Sequence, residues 1–314
     1  MEVTIALNII DVITEGFNLV TKKLWLAIVP VLLDLFLWLG PKISIAPVIN
    51  QVLAVFDQNL KAIEAMGAQD ANVTQMMTTM AETVRQTADQ ANFMMLLAWG
   101  RLGLPSIAGF KPINAATDRI IEVTSYGQML LVQLVLLAIG LFIACLFLGM
   151  IGQEVRGEGL QLGRLFHKAP RYWLHMVALF VPLGMALITA FSISVFLGPF
   201  AILILVVLLW VLIYLSFVPQ AITLAEQKPL AALWSSFAFM RYNFWPAIGL
   251  LILVNVIGGG LSLIWQRLLS GSTIGMVVAI VANAYVGTAL AAAAFIFYRE
   301  RVTAWQKALQ QQQQ

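Results

Sequence analysis

The chain has 314 residues, of which 61% are hydrophobic and only 11% charged, where a soluble domain averages about a quarter charged. Eighteen Lys and Arg against fifteen Asp and Glu leave a net charge of +3, with no basic run of the kind that tracks nucleic-acid phosphates. This composition excludes an ordinary cytosolic enzyme, a disordered chain and a nucleic-acid binder, and leaves an all-α integral membrane protein. The single cysteine, Cys145, lies in an apolar run and allows neither an intrachain disulfide nor a CxxC metal site.

Residues 1–23 lack the basic start and small-residue cleavage site of a signal peptide. Asn8, Asp11, Glu15, Asn18 and Lys22 recur at spacings of three and four, with Ile9, Ile13, Gly16 and Val20 on another face. That pattern predicts an amphipathic helix on the cytoplasmic membrane face, a helix packed on other protein being the alternative. Charge-free stretches then predict six transmembrane helices, near 24–40, 128–150, 172–194, 200–219, 244–265 and 274–298. The Gly198-Pro199 pair marks the turn between the third and fourth. Lys and Arg orient them. Lys22, Lys23, Arg156, Arg164, Lys168, Arg171, Lys228, Arg241, Arg299, Arg301 and Lys307 share one side. The other side's basic residues lie almost wholly in one long segment, where the rule has little force. Both termini are therefore expected in the cytoplasm.

Residues 41–127 differ in composition and are expected to form an extracytoplasmic helical segment. Stretches 43–66 and 72–98 are rich in Ala, Gln, Met and Thr and predict two helices, a hairpin or cap. Met76, Met77, Met80, Val84 and Ala88 form an apolar stripe on the second. A Met-rich face re-packs readily on partners, so a protein partner or a second copy could use the hairpin over 43–100. The alternative is that this face covers the chain's own spans. Residues 128–299 hold the other five spans, with interfacial helices near 160–171 and 229–243, and 300–314 form a Gln-rich cytoplasmic tail, expected to fray.

Residues 16–28 and 236–248 match at an offset of 220: Phe17 with Phe237, Trp25 with Trp245, Ala27 with Ala247 and Ile28 with Ile248. A weaker copy runs from Leu165 to Trp173. In each, a basic residue precedes a Trp at the start of a span: Lys22 and Lys23 with Trp25, Arg171 with Trp173, Arg241 with Trp245. These are interface anchors, because cations stay among headgroups and indole rings sit at the hydrocarbon boundary. Each copy would be followed by two spans, which predicts a parallel internal repeat of helix pairs.

The run Leu230 to Gly249, with Ser236, Arg241, Asn243, Phe244 and Trp245, resembles the helix that precedes a span in six-span bacterial membrane proteins related to the membrane domain of glycerophosphodiester phosphodiesterases. The likeness covers about 20 residues. It implies a six-helix module of the bacterial cytoplasmic membrane, mostly of uncharacterised role. It does not imply phosphodiesterase chemistry, because His167 and His175 are the chain's two histidines.

Asp34, in Val31 to Leu37, is the one acid expected at membrane depth. It is either a proton- or cation-handling group or a structural partner of Arg267, Asn255 or Asn283, unless Lys42 draws it to the interface. Asn255 and Asn283 read as hydrogen-bonding glue between helices. Ala279, Asn283, Gly287 and Ala291 make a small-residue ridge, and Gly258, Gly259 and Gly260 read as a break or close-packed kink in the fifth span. No catalytic or metal motif occurs, and no cofactor is implied. The expected function is a non-enzymatic membrane scaffold, accessory or assembly protein. The alternative is a small transporter or lipid-handling permease using Asp34 and the fifth helix.

Overall fold

The computed structural model describes residues 8–65, 71–98, 104–107, 119–196, 201–269 and 272–312. Helix α1 (Ile9–Lys22) starts where the Asn8 side chain accepts the Ile9 N–H, with Asp11 in its first turn and Lys22 in its last, both favourable to the helix dipole. A 3-10 turn, Leu24–Ala27, leads into α2 (Ile28–Leu39). Strand β1 (Lys42–Ser44) follows, then α3 (Ala46–Ala65), α4 (Ala71–Gln90), a 3-10 turn at Phe93–Leu97, and strand β2 (Ile120–Glu122). The remainder is helical: α5 (Tyr126–Val155), α6 (Leu162–Phe196), α7 (Ala201–Tyr214), α8 (Val218–Thr223), α9 (Pro229–Tyr242), α10 (Phe244–Leu269) and α11 (Thr273–Gln312).

Among the described residues, five helical segments are long and apolar enough to cross a membrane: Tyr126–Val155, Leu162–Ser194, Ala201–Thr223, Phe244–Leu269 and Thr273–Lys307. They cover the last five spans expected from sequence, except residue 200 of the span at 200–219, which lies outside the described residues. The first expected span, Leu24–Leu39, is shorter. At about 1.5 Å per residue it falls short of a hydrocarbon core of about 30 Å. The segment at 160–171 is not a separate interfacial helix, since α6 runs on through Pro170. The 229–243 segment is separate, as α9. The tail is helical to Gln312. The turn at Gly198-Pro199 lies outside the described residues.

The chain divides into two compact units, 1–31 with 99–105 and 141–314, and 32–98 with 106–140. In the second, β1 and β2 pair in parallel, Lys42 opposite Ile120 and Ser44 opposite Glu122. This small sheet is absent from the sequence expectations. The Asn92 carboxamide oxygen ties it to the following 3-10 turn by accepting from Ile43 N and Met94 N, each at 3.1 Å. Helices α3 and α4 lie side by side, and Arg85 bridges them to Asp57 at 3.3 Å. The side of α4 with Ala81 and Ala88 is buried. Met76 and Met80 are 66% and 59% exposed, and Val84 is also exposed. Met77 is half-buried, so the stripe named from sequence divides between an exposed edge and the side that holds Ala88.

In the first unit, α1 packs along α11, with Val12, Ile13, Gly16 and Val20 buried and Asp11, Glu15, Asn18 and Lys22 exposed. The apolar face of α1 is thus covered by protein rather than laid on a membrane surface. A Cβ at Gly16 would stand 2.5 Å from the Ala289 carbonyl oxygen and 2.8 Å from Ala293 N, so only glycine permits this approach. Thr21 and Tyr285 hydrogen-bond at 2.7 Å farther along the same pair. The buried alanines 289, 292 and 293 continue the seam. Helices α1 and α9 have bounds that differ by 220 residues at both ends. Three of the four buried positions on each correspond as well: Val12 with Ala232, Gly16 with Ser236, Val20 with Met240.

Helix α10 is continuous across Gly258, Gly259 and Gly260. It is neither broken nor closely packed there, since a Cβ at any of the three would meet nothing within 4 Å. Glycine weakens a helix chiefly through backbone freedom and water access, and a run of apolar neighbours limits the second. Two substitutions therefore have opposite expected signs. Gly16→Ala forces backbone apart and lowers stability by about 1–3 kcal/mol. Gly260→Ala raises it by roughly 0.5–1 kcal/mol. Thermal unfolding of both variants in mild detergent checks the pair.

Candidate functional site

Asp34 lies on α2 and is fully buried. Its carboxylate accepts the Ser106 hydroxyl at 2.5 Å and the Ile107 N–H at 3.0 Å. The partners are thus a hydroxyl and a backbone amide more than 70 residues away, and not Arg267, Asn255 or Asn283. Lys42 donates instead to the Asp89 carbonyl. A carboxylate with two convergent donors holds a returning loop in place. Ile107, fully buried, is the side chain anchored this way.

The other intramembrane candidates are not interhelical bridges. Asn255 is exposed, and its amide donates to the Leu251 carbonyl of its own helix at 2.7 Å. Asn283 is buried on α11 and its amide nitrogen has no hydrogen-bond partner. It shares the ridge with Ala279, fully buried, and Gly287, against which Pro105 is wedged. Arg267 is exposed near the end of α10. Of the anchors, Trp245 is 79% exposed. Lys22, Arg171 and Arg241 are exposed, and Trp25 and Trp173 half-buried. Lys23 differs, because it pairs with the buried Glu154 at the end of α5.

The basic residues used to orient the spans assemble with acids that the sequence offered no reason to single out. Arg156 donates to Glu158 at 3.0 Å and to the Thr223 and Leu224 carbonyls at 3.0 and 2.9 Å. Its guanidinium thereby caps the C-terminus of α8, where the helix dipole favours a cation. Arg164 reaches Glu158 at 2.9 Å. Glu226 accepts from Lys168, and from the Tyr172 hydroxyl at 3.3 Å, with Arg156 3.8 Å away. Its φ of 52° is left-handed, a strained conformation for a residue with a side chain, and these partners hold it there. Burial pushes the Glu226 pKa up, but the Lys168 hydrogen bond and the Lys168 and Arg156 charges outweigh it and leave the group below its ordinary 4.5. The only signal in the sequence was Glu158 and Glu226 standing beside basic residues at the ends of apolar runs. Their convergence is tertiary.

Among the described residues no three His, Cys, Asp or Glu side chains gather to hold a metal ion. Cys145 is buried and free. The arrangement can fix loops and neutralise charge at a helix boundary, since Glu158 and Glu226 each accept from basic side chains. No protein-family model matches the chain, and neither the curated proteins nor the solved structures include a match.

Asp34→Asn replaces an acceptor with an amide that confronts one donor with another. It should lower stability by about 1–3 kcal/mol, and Ser106→Ala by less, as read from thermal unfolding. Because the Glu226 pKa is depressed in the folded chain, its contribution is full above pH 4.5 and is lost as pH falls through the folded value. Melting temperature across pH 3 to 6 should show that loss in the wild type, and a smaller one in Glu226→Gln.

Proposed function

We propose that the chain is a non-enzymatic scaffold, accessory or assembly protein of the bacterial cytoplasmic membrane. Six helices cross the bilayer in this reading, and both termini lie in the cytoplasm. Leu24–Leu39 is the sixth crossing, its short length met by local thinning of the bilayer. Helices α3 and α4 stand outside and engage a protein partner. The likeness of 230–249 to the membrane module of glycerophosphodiester phosphodiesterases is in keeping with a module that contributes anchoring rather than hydrolysis. The correspondence of α1 with α9 is in keeping with duplication of a helix pair.

The observation that carries the reading is the uncovered apolar stripe of α4. Val73, Met76, Met80 and Val84 are exposed on a helix whose other exposed residues are polar, mostly Thr and Gln. On α3, Val52, Val55 and Phe56 are exposed as well. Contiguous exposed apolar surface on a polar element marks an interaction site, and thioether side chains adapt to a partner's shape. Transport through Asp34 has less support, because both carboxylate oxygens already accept protein donors.

The triple variant Met76→Ser, Met80→Ser, Val84→Ser tests this. After gentle extraction from native membrane, the wild type should co-purify with a stoichiometric partner protein or as an oligomer. The triple variant should lose that association with its melting temperature unchanged. A wild type that purifies alone as a monomer, or a triple variant that keeps the association, contradicts the proposal.

A further inference from the structure

Helices α9 and α11 form most of the wall of an open cavity of about 540 Å³, within the roughly 300–1,000 Å³ typical of ligand sites. Trp234, Phe239 and Tyr242 reach it from α9, and Tyr298, Arg301 and Trp305 from α11. These are residues at helical spacing on one face of each helix. Phe239 and Tyr298 are buried, with ring centroids 4.9 Å apart. Trp234, Tyr242 and Trp305 are exposed, and Tyr242 stacks on Trp305 at 6.1 Å. The Arg301 guanidinium lies 5.3 Å over the Phe297 ring. Gln227 also lines the cavity, and its side-chain oxygen is buried with no hydrogen-bond partner. Among the described lining residues there is no carboxylate.

The sequence sets the level of the cavity. Apolar α10 begins at Phe244, one residue after the lining Asn243. Helix α11 changes from Ala-Phe-Ile-Phe-Tyr at 294–298 to Arg-Glu-Arg at 299–301. The cavity thus sits where apolar helix gives way to charge, the boundary at which aromatic rings collect. We propose that it binds one phospholipid with an anionic, hydroxylated headgroup of the phosphatidylglycerol type. Arg301 donates to the phosphate, an acceptor that suits its planar fork. The unpartnered Gln227 oxygen accepts a headgroup hydroxyl. Trp234, Tyr242 and Trp305 flank the glycerol and the first methylenes. The site uses no residue of α3 or α4, so it stands or falls independently of the partner-binding role.

Native mass spectrometry of the full chain in mild detergent, titrated with phosphatidylglycerol or phosphatidylcholine, tests it. Phosphatidylglycerol should bind about tenfold more tightly. Arg301→Gln should weaken phosphatidylglycerol about threefold or more and narrow that preference, and Arg301→Lys should keep most of it. Gln227→Leu should weaken phosphatidylglycerol alone. Trp305→Ala should weaken both lipids, and Lys307→Gln neither. Excess glycerol phosphate should not displace the lipid. The proposal is overturned by equal binding of the two lipids to the wild type or by phosphatidylglycerol binding that is unchanged in Arg301→Gln. Displacement by glycerol phosphate, which would mark a site for a soluble anion, also overturns it. Should Arg301→Gln fail to fold, phosphatidylglycerol binding unchanged in Gln227→Leu and Trp305→Ala overturns it equally.

Discussion

Hydrocarbon offers a polar group no hydrogen-bond partner, so polar atoms within apolar stretches are best satisfied by the chain itself, the Asn283 amide nitrogen being an exception. Most of the local structure follows from that constraint. Asp34 takes two donors from Ser106 and Ile107, and so ties α2 to a loop remote in sequence. Asn255 turns back on its own helix. Arg156 satisfies the carbonyls at the end of α8, and Glu226, held by Lys168 and Tyr172, adopts a backbone conformation it would not choose alone. Where side chains are apolar, the same economy of polar groups leaves close packing as the main source of cohesion. Gly16 meets α11 at the Ala289 and Ala293 backbone for this reason.

Helices α1 and α9 show one pattern put to two uses. Their lengths and most of their buried positions correspond, yet Gly16 makes a bare backbone approach while Ser236 uses its hydroxyl. Ser236 donates to the Tyr214 carbonyl at 2.7 Å and accepts from Phe217 N at 3.3 Å. The serine thus closes the turn between α7 and α8, whereas the glycine seats one helix on another. Beyond each helix the chain resumes with a Trp at the second position, Trp25 or Trp245. Trp25 is half-buried at its 3-10 turn and Trp245 is among the most exposed side chains.

The long apolar helices were legible from charge spacing because hydropathy is a local property: a charge-free run of sufficient length has few other structures open to it. Helix α9, and the split between α3 and α4, were legible for a similar reason. What depended on distant contacts was not. The Ser106 and Ile107 donors to Asp34, and the pairing of Lys42 with Ile120, join residues more than 70 positions apart with no motif to connect them. Gly258 to Gly260 read in sequence as a break, yet α10 runs through them, because glycine breaks helices in water through effects that weaken in an apolar run. The Met76 and Met80 stripe was visible as a pattern, but its exposure is decided by which side of α4 meets α3. The cavity between α9 and α11 combines two faces more than 50 residues apart, each unremarkable alone.

The central claim is that α4 presents its apolar stripe to another protein in the native membrane. Photo-crosslinking in intact cells, with benzoylphenylalanine placed at Met80 or at exposed Gln75 on the polar side of the same helix, tests it most directly. The account predicts one discrete protein adduct from position 80 and none from position 75. No adduct from position 80, or the same adducts from both, would contradict it.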